Sequence, residues 1–447
     1  MNINLTVEYT SNRILVKWSS KELDTLFKEN KRSVSLVYHC TVELNDYIVG
    51  STVIGFMLPI VSKSFSKDKI NVQINLPISQ TIVRQWCLYR DINNVKVQGT
   101  GVYKKIIPKS FNKKRICLLY GGGKDSLAAL KIFAQNHPDA EIFISRIHWS
   151  VQSQQKHKQI FENVVLAELI KIFPSLRYCS VSTDIYSNVK DVKTARLMNM
   201  AFYHSISLPI TYSVNPDILN HSYDALEFST NKGLRYKSAR PESDLMMTEL
   251  LRQSGLQTRV RNISFAIPGY LHLDILAEGN DDFLNAIYMC EDTRERWCHK
   301  CRKCFTFFIF CLYKNLNQSE FGISATRLAS RYGILAKVTQ QIQSLPRGDY
   351  VPLASYEMHH SSLGHLMKQV DISSLAFSND VIDMIKTIKN HYSECESDDS
   401  MSIWENAALL ESGGDEDYLE YYKSLGLEIC RELEITLQNK TLQKYSF

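Results

Sequence analysis

The chain has 447 residues, 44% of them hydrophobic and 22% charged, with a formal net charge of +5. That mix excludes a disordered chain, and the length allows roughly two or three packed domains. The small positive excess argues against a nucleic-acid footprint, no apolar run reaches the ~20 residues of a membrane helix, and the start MNINLTVEYT lacks the basic-then-apolar layout of a signal peptide, so a cytoplasmic protein is expected.

Residues 1–112 read as an N-terminal β-rich domain. LTVEYT, RILVKW, SVSLVYHCTVEL and INVQINL alternate or run β-branched at short spacing. This segment is expected to serve as a scaffold or substrate-gating module without chemistry of its own, and the flanking domains are where a protein partner would bind. Lys104, Lys105, Lys109, Lys113, Lys114 and Arg115 precede a glycine-rich loop and could steer a polyanion such as ATP. From residue 113 the pattern changes. Arg115–Tyr120 predicts a strand, Asp125–Gln135 a helix and Glu141–Trp149 a strand. A helix over His157–Phe173, a strand over Arg177–Val181, a helix over Ala195–Ser207 and a strand over Ile210–Val214 follow. Strands alternating with helices at this spacing predict an α/β fold with a doubly wound parallel sheet over residues 113–312. Residues 313–447 read as a C-terminal helical region, with VIDMIKTIKNHY and YLEYYKSLGLEICRELEITLQ as its clearest pieces. The acidic stretches Glu394–Asp399 and Ser412–Asp417 read as solvated linkers.

Tyr120-Gly121-Gly122-Gly123-Lys124-Asp125-Ser126 joins a predicted strand to a predicted helix. In that setting glycines let backbone amides approach phosphate oxygens, and the helix start favours negative charge. Lys124 offers charge, Ser126 a hydroxyl, and Asp125 a helix cap or a ligand for Mg²⁺. A Walker loop would need Gly-Lys-Ser/Thr, but Asp125 follows Lys124. A dinucleotide fingerprint would need Gly or Ala where Ser126 stands. Gly122, Gly123, Asp125 and Ser126 instead resemble the Ser-Gly-Gly-x-Asp-Ser loop of the N-type ATP pyrophosphatases, with Gly121 in place of the first serine. The resemblance implies cleavage of ATP between its α- and β-phosphates, with the loop holding the departing pyrophosphate.

Cys290, Cys298, Cys301 and Cys304 lie in MCEDTRERWCHKCRKCF. Overlapping Cys-x-x-Cys units plus a fourth cysteine suit tetrahedral Zn²⁺, and four thiolates with no open position suit a structural site. His299 could compete as a ligand, and an iron–sulfur cluster is the alternative occupant. Arg294, Arg296, Lys300, Arg302 and Lys303 surround the cluster.

The loop followed by Cys-x₇-Cys-x₂-Cys-x₂-Cys is similar to the 7-cyano-7-deazaguanine synthases, which also carry an Arg-Pro-Glu step matched here by Arg240-Pro241-Glu242. The resemblance covers roughly residues 114–312. Trp297-Cys298 and Lys124 also resemble the muropeptide epimerases that adenylate a terminal glutamate. Both resemblances imply an ATP-dependent enzyme that adenylates a small-molecule or peptide carboxylate, using ATP, Mg²⁺ and Zn²⁺. The residues implied for chemistry are Lys124, Asp125, Ser126, Arg240 and Glu242. Asp217, Asp224 and Glu227 are further candidates for metal or substrate contact, and His221 and His272 for bases. NHSYDALEFSTN (220–231) falls where both families read substrate. Two other readings stay open: a silent nucleotide-binding module, and a base-thiolating pyrophosphatase using Cys117 or Cys179.

Overall fold

Strand β1 (Asn2–Tyr9) buries Ile3, Leu5 and Val7 and exposes the residues between them, so only one of its faces meets the core. Strand β6 (Arg115–Leu119) differs, because Ile116, Cys117 and Leu118 are all buried. A strand reads this way when helices cover both faces of its sheet. The structure, a computed structural model, describes residues 1–393 other than 91, 102–106, 108–109, 151, 191–199, 223–227, 230–232, 235–240, 267–270, 280–281, 291–294, 350 and 355–359.

Apart from a separate antiparallel pairing of Phe228–Ser229 with Gly233–Leu234, the remaining strands are β2 (Arg13–Trp18), β3 (Ser33–Tyr38), β4 (Ile70–Ile74), β5 (Val95–Gln98), β7 (Glu141–Trp149), β8 (Arg177–Thr183), β9 (Ile218–Asn220) and β10 (Arg259–Arg261), which with β1 and β6 make up the main sheet. They form one ten-stranded mixed sheet in the order β10-β9-β6-β7-β8-β3-β2-β1-β4-β5. From β10 to β8 all neighbours are parallel. Antiparallel pairings join β8 to β3, β3 to β2 and β2 to β1, and β4 and β5 extend the far edge in parallel. The amino-terminal strands therefore continue the sheet that carries the glycine loop.

That amino-terminal segment is less β-rich than its pattern suggests. It also contains helices α1 (Asp46–Ser64) and α2 (Gln80–Arg90). Asn45 caps α1 by accepting the Tyr47 and Ile48 amides at 3.1 Å. Every residue of α1 from Ile48 to Ser62 is buried, so the helix has no polar face to give it a period. By length and composition α1 is apolar enough to cross a membrane, contrary to expectation, but 83% of that stretch is buried within the fold. It packs on α6 (Met200–Val214) so closely that a Cβ on Gly55 would stand 2.5 Å from Ser205 Cβ.

Between them lie α3 (Lys124–Asn136), then α4 (Gln152–Ile160) running through a π-turn at Phe161–Val165 into α5 (Leu166–Ile172). The strand expected at Ile210–Val214 is the end of α6, and the fourth parallel strand is β9. Burial on all sides overrides the β-branched pattern here, and the hydroxyls are satisfied within the helix: Ser205 donates to Phe202 O at 2.8 Å, Thr211 to Ser207 O at 3.2 Å and Ser213 to Pro209 O at 2.8 Å. Beyond β9 come α7 (Pro241–Gln253), α8 (Leu271–Ala277) and α9 (Arg302–Tyr313). Helices α10 (Ile334–Ile342), α11 (His360–Gln369) and α12 (Asn379–Tyr392) follow. The second expected carboxy-terminal helix and both acidic stretches lie outside the described residues.

Two cores result, one on each side of the sheet. Ile116 and Leu118 face a core shared with α3, α8, α9 and the carboxy-terminal helices. Cys117 faces a core built from α1, α2, α6 and α7.

Candidate functional site

The glycine loop leaves the carboxyl end of β6, whose two neighbours are β7 and β9. Gly123 stands at the N-cap of α3 in extended conformation and has no side chain to cap the helix. Gly122 has φ +86°, a region that glycine enters without penalty. A Cβ there would stand 3.0 Å from Arg146 Nη1, whereas Cβ atoms on Gly121 and Gly123 would project into open space. The bend is therefore open on the side of its first and third glycines.

Ser126 braces the loop from within. Its Oγ accepts the Gly122 amide and donates to Gly123 O, both at 3.2 Å. Lys124 is 2% exposed and its Nζ lies 2.5 Å from Asp125 Oδ1, so its charge is turned onto the neighbouring carboxylate. His272, in the first turn of α8, brings Nδ1 to 3.4 Å from the same oxygen. Burial alone would raise the Asp125 carboxyl; Lys124, His272 and Lys303 outweigh it and hold the group below the usual carboxylate range. Ser264 donates to Asp125 O at 3.2 Å, tying the loop to the segment after β10.

Arg146 on β7 is a site residue that the sequence pattern does not single out. It is buried, and its Nη1 donates to Gly121 O at 2.5 Å. Its guanidinium lies 3.8 Å from the centre of the Phe161 ring, and burial brings its pKa down to about 10, still charged at neutral pH. Phe161 opens the π-turn, a distortion that often marks functional positions. Beside it His148 Nε2 lies 2.7 Å from Tyr178 Oη, which donates to Glu162 at 3.3 Å. Burial, then Arg146 and Lys158, push His148 down to about 3, and burial with Arg146 pushes His157 to about 4. A buried cation with neutral imidazoles beneath a glycine bend is not what strand alternation predicts, since Arg146 shares its face of β7 with the buried Ile142 and Ile144.

The four cysteines come together. The sulfurs of Cys290, Cys298, Cys301 and Cys304 all lie within 4.8 Å of one another, and among the described residues no other set of three or more potential ligands does so. Four contacts measure 3.5–4.0 Å. Metal–sulfur bonds of about 2.3 Å in a tetrahedron require sulfurs about 3.8 Å apart. The four thiols can thus hold one tetrahedral ion such as zinc. They sit too close together to surround an iron–sulfur core. Backbone amides point at the sulfurs: Cys298 N donates to Cys290 Sγ at 3.2 Å and Lys300 N to Cys298 Sγ at 3.3 Å, a shell that favours thiolates. His299 does not compete, since its Nε2 accepts the Ser324 amide at 2.9 Å. Arg296 donates to the carbonyls of Leu284 and Asn285 rather than to an outside anion.

The two motifs also meet. The Tyr288 amide, two residues before Cys290, donates to Gly122 O at 2.8 Å. Lys303, one residue before Cys304, is near enough to act on the Asp125 charge.

Other expected residues separate. Asp217 lies at the amino-terminal end of β9, at the opposite end of the strands from the loop, where it accepts the Arg115 amide at 2.8 Å. That contact is structural. His221, just beyond β9, is fully buried with Nε2 2.7 Å from Asp244 Oδ1 of α7. Glu242 falls in the first turn of α7. Arg240, Asp224, Glu227, Arg294, Lys104, Lys105 and Lys109 lie outside the described residues, as do most of residues 220–231.

Comparison with known proteins adds nothing to this geometry: no protein-family model matches the chain, and no curated protein matches it.

Proposed function

We propose that this chain is an ATP-dependent enzyme that adenylates a substrate carboxylate and releases pyrophosphate, in the manner of the N-type ATP pyrophosphatases. The observation that carries the reading is the glycine bend at the carboxyl end of β6, open at Gly121 and Gly123 and running directly into a 13-residue helix. The strand order supports it. Neighbours depart from β6 in both directions, with helices on both faces, which supports reading the sheet as doubly wound; in such sheets ligands bind beyond the carboxyl ends at such a reversal.

In this reading the loop amides and the start of α3 receive the β- and γ-phosphoryl groups. Arg146 fixes the Gly121 carbonyl and keeps that peptide unit oriented. Asp125, held as a carboxylate, is the residue fitted to hold Mg²⁺, which would supply charge stabilisation for the departing pyrophosphate. Zinc at Cys290, Cys298, Cys301 and Cys304 has a structural role, bracing the loop through Tyr288. The carboxylate oxygen attacks the α-phosphorus, and the acyl-adenylate then passes to an amine or ammonia, as in the deazaguanine synthases.

The epimerase reading keeps one specific support. His221, oriented by Asp244 at the end of the strand next to β6, is a buried imidazole of the kind that removes an acidified α-proton.

The test is incubation with ATP, Mg²⁺ and a panel of carboxylates, including 7-deazaguanine carboxylate and glutamate-terminated muropeptides, with AMP and pyrophosphate as readouts. AMP with an amide or nitrile product supports the synthase reading, and AMP with an inverted α-carbon supports the epimerase. Tight ATP binding without AMP across the panel leaves a nucleotide-binding module. No ATP binding at all overturns the proposal.

A further inference from the structure

Cysteines also meet outside the metal cluster. The antiparallel register of β3 and β8 places Tyr38 opposite Val181, and the ladder continues one step past the strand, His39 N donating to Ser180 O at 2.8 Å. The next pair in that register is Cys40 opposite Cys179. Because His39 and Ser180 form the hydrogen-bonded pair, Cys40 and Cys179 occupy the adjacent non-hydrogen-bonded pair, in which Cα atoms lie about 4.5 Å apart. A disulfide spans Cα separations of about 4.4–6.8 Å. Both residues are half-buried, reachable by a small oxidant yet packed against the core made by α1 and α6.

We propose that Cys40 and Cys179 are a redox-active dithiol, a site of reversible disulfide formation with a peroxide as oxidant. The Cys40 thiolate attacks one peroxide oxygen, giving a sulfenic acid and a leaving hydroxide, which takes up the proton released from the Cys40 thiol and becomes the first water. The Cys179 sulfur then attacks the Cys40 sulfur, loses its proton and expels the second water. Two thiols give up two electrons and two protons, and one peroxide becomes two waters. Cys40 is the attacking residue because the neighbouring Cys179 side chain and the Ser180 backbone hold its thiol pKa below the ordinary value. The bond would pin β3 to β8, the pairing that unites the two halves of the sheet. The inference is independent of the ATP reading.

The chain carries its own controls. Cys117 is buried, with burial pushing its thiol up to about 12, and Cys87 is raised to about 11 for the same reason. The experiment treats the full-length, metal-loaded protein with hydrogen peroxide, alkylates the remaining thiols, and maps peptides without reduction while metal content is measured. The expected result is a peptide pair joined through Cys40 and Cys179, a mass loss of about 2 Da, recovery with a thiol reductant, and unchanged metal content. In Cys40→Ser the bond is absent and Cys179 stays alkylatable after the same treatment. Cys40 and Cys179 remaining as alkylatable as Cys117, either one linked to a different cysteine, or oxidation confined to the metal cluster with release of its ion would each overturn the proposal.

Discussion

Two neighbouring glycines of the loop separate a structural demand from a functional one. Gly122 has φ +86° and Arg146 Nη1 at 3.0 Å from where a Cβ would sit. Gly122→Ala therefore meets both backbone strain and a packed guanidinium, and should cost about 1–2 kcal/mol in chemical denaturation. Gly123 has extended backbone and open space at its Cβ position. Gly123→Ala should leave stability within about 0.5 kcal/mol. It should weaken ATP binding by about tenfold or more, because its methyl group would stand where backbone must approach phosphate. Unchanged ATP affinity in a folded Gly123→Ala protein would show that the bend is not a phosphate cradle. Acid sensitivity belongs at this scale too. His148 is 5% exposed, and burial with Arg146 depresses its pKa to about 3; His204 is depressed well below its ordinary value, mainly by burial. An unfolded histidine takes up its proton near pH 6.5, while folded His148 refuses one until about pH 3. The stability these neutral imidazoles preserve is thus intact above about pH 6.5 and lost as pH falls, roughly 2 kcal/mol from His148 alone by pH 5. His148→Gln should flatten the fall in urea midpoint between pH 7 and pH 5. An equally steep fall would place the acid sensitivity elsewhere.

The cysteine knuckle is the element whose removal should be felt furthest away. It holds Tyr288, whose amide bonds Gly122 O, and Trp297, which donates to Phe321 O at 2.8 Å and stacks on Phe307 at 4.8 Å. Stripping the ion with a strong chelator, or Cys301→Ser, should lower the melting midpoint by about 5 °C or more. It should also speed hydrogen exchange at the Tyr288 amide, on the path between the cluster and the loop. Protection at Tyr288 that survives metal loss would mean that the knuckle and the loop are merely adjacent. The knuckle was legible in the sequence because its chemistry is local: four cysteines within 15 residues can converge whatever surrounds them. Strand β6 was legible for a related reason, being a short apolar run that ends in glycines, and β7 and β8 were legible from β-branched and aromatic residues set between helical stretches. Helix α1 and the second half of α6 were not. Apolar on every side and rich in β-branched residues, they show neither the 3.6 nor the 2.0 period, and tertiary burial decides their conformation. Arg146 escaped notice because what gives it meaning, the Gly121 carbonyl and the Phe161 ring, comes from two other elements.

At the scale of the whole molecule, the amino-terminal segment and the loop-bearing segment share a sheet and one of its two cores. β3 pairs with β8 from Leu36↔Thr183 to Tyr38↔Val181, and Ser35 N donates to Asp184 at 2.8 Å. Helix α1 packs on α6 with Gly55 against Ser205, and α2 packs on α7. Tyr38 Oη reaches across to Ile206 O at 3.0 Å inside the core. Deleting residues 1–112 would unpair the edge of β8 and uncover the buried flank of α6, including Phe202, Ile206 and Ile210. An unpaired edge beside a bare apolar face leads to aggregation. Residues 113–447 expressed alone should therefore be insoluble or molten, even though they hold the glycine loop and all four clustered cysteines. The intact chain should lose the β3 and β8 amide protections together in native-state hydrogen exchange, because neither strand keeps its partner without the other. A soluble 113–447 fragment that melts cooperatively and binds ATP with the affinity of the full chain would refute this. It would make the first 112 residues an attachment to the loop-bearing unit rather than half of its sheet.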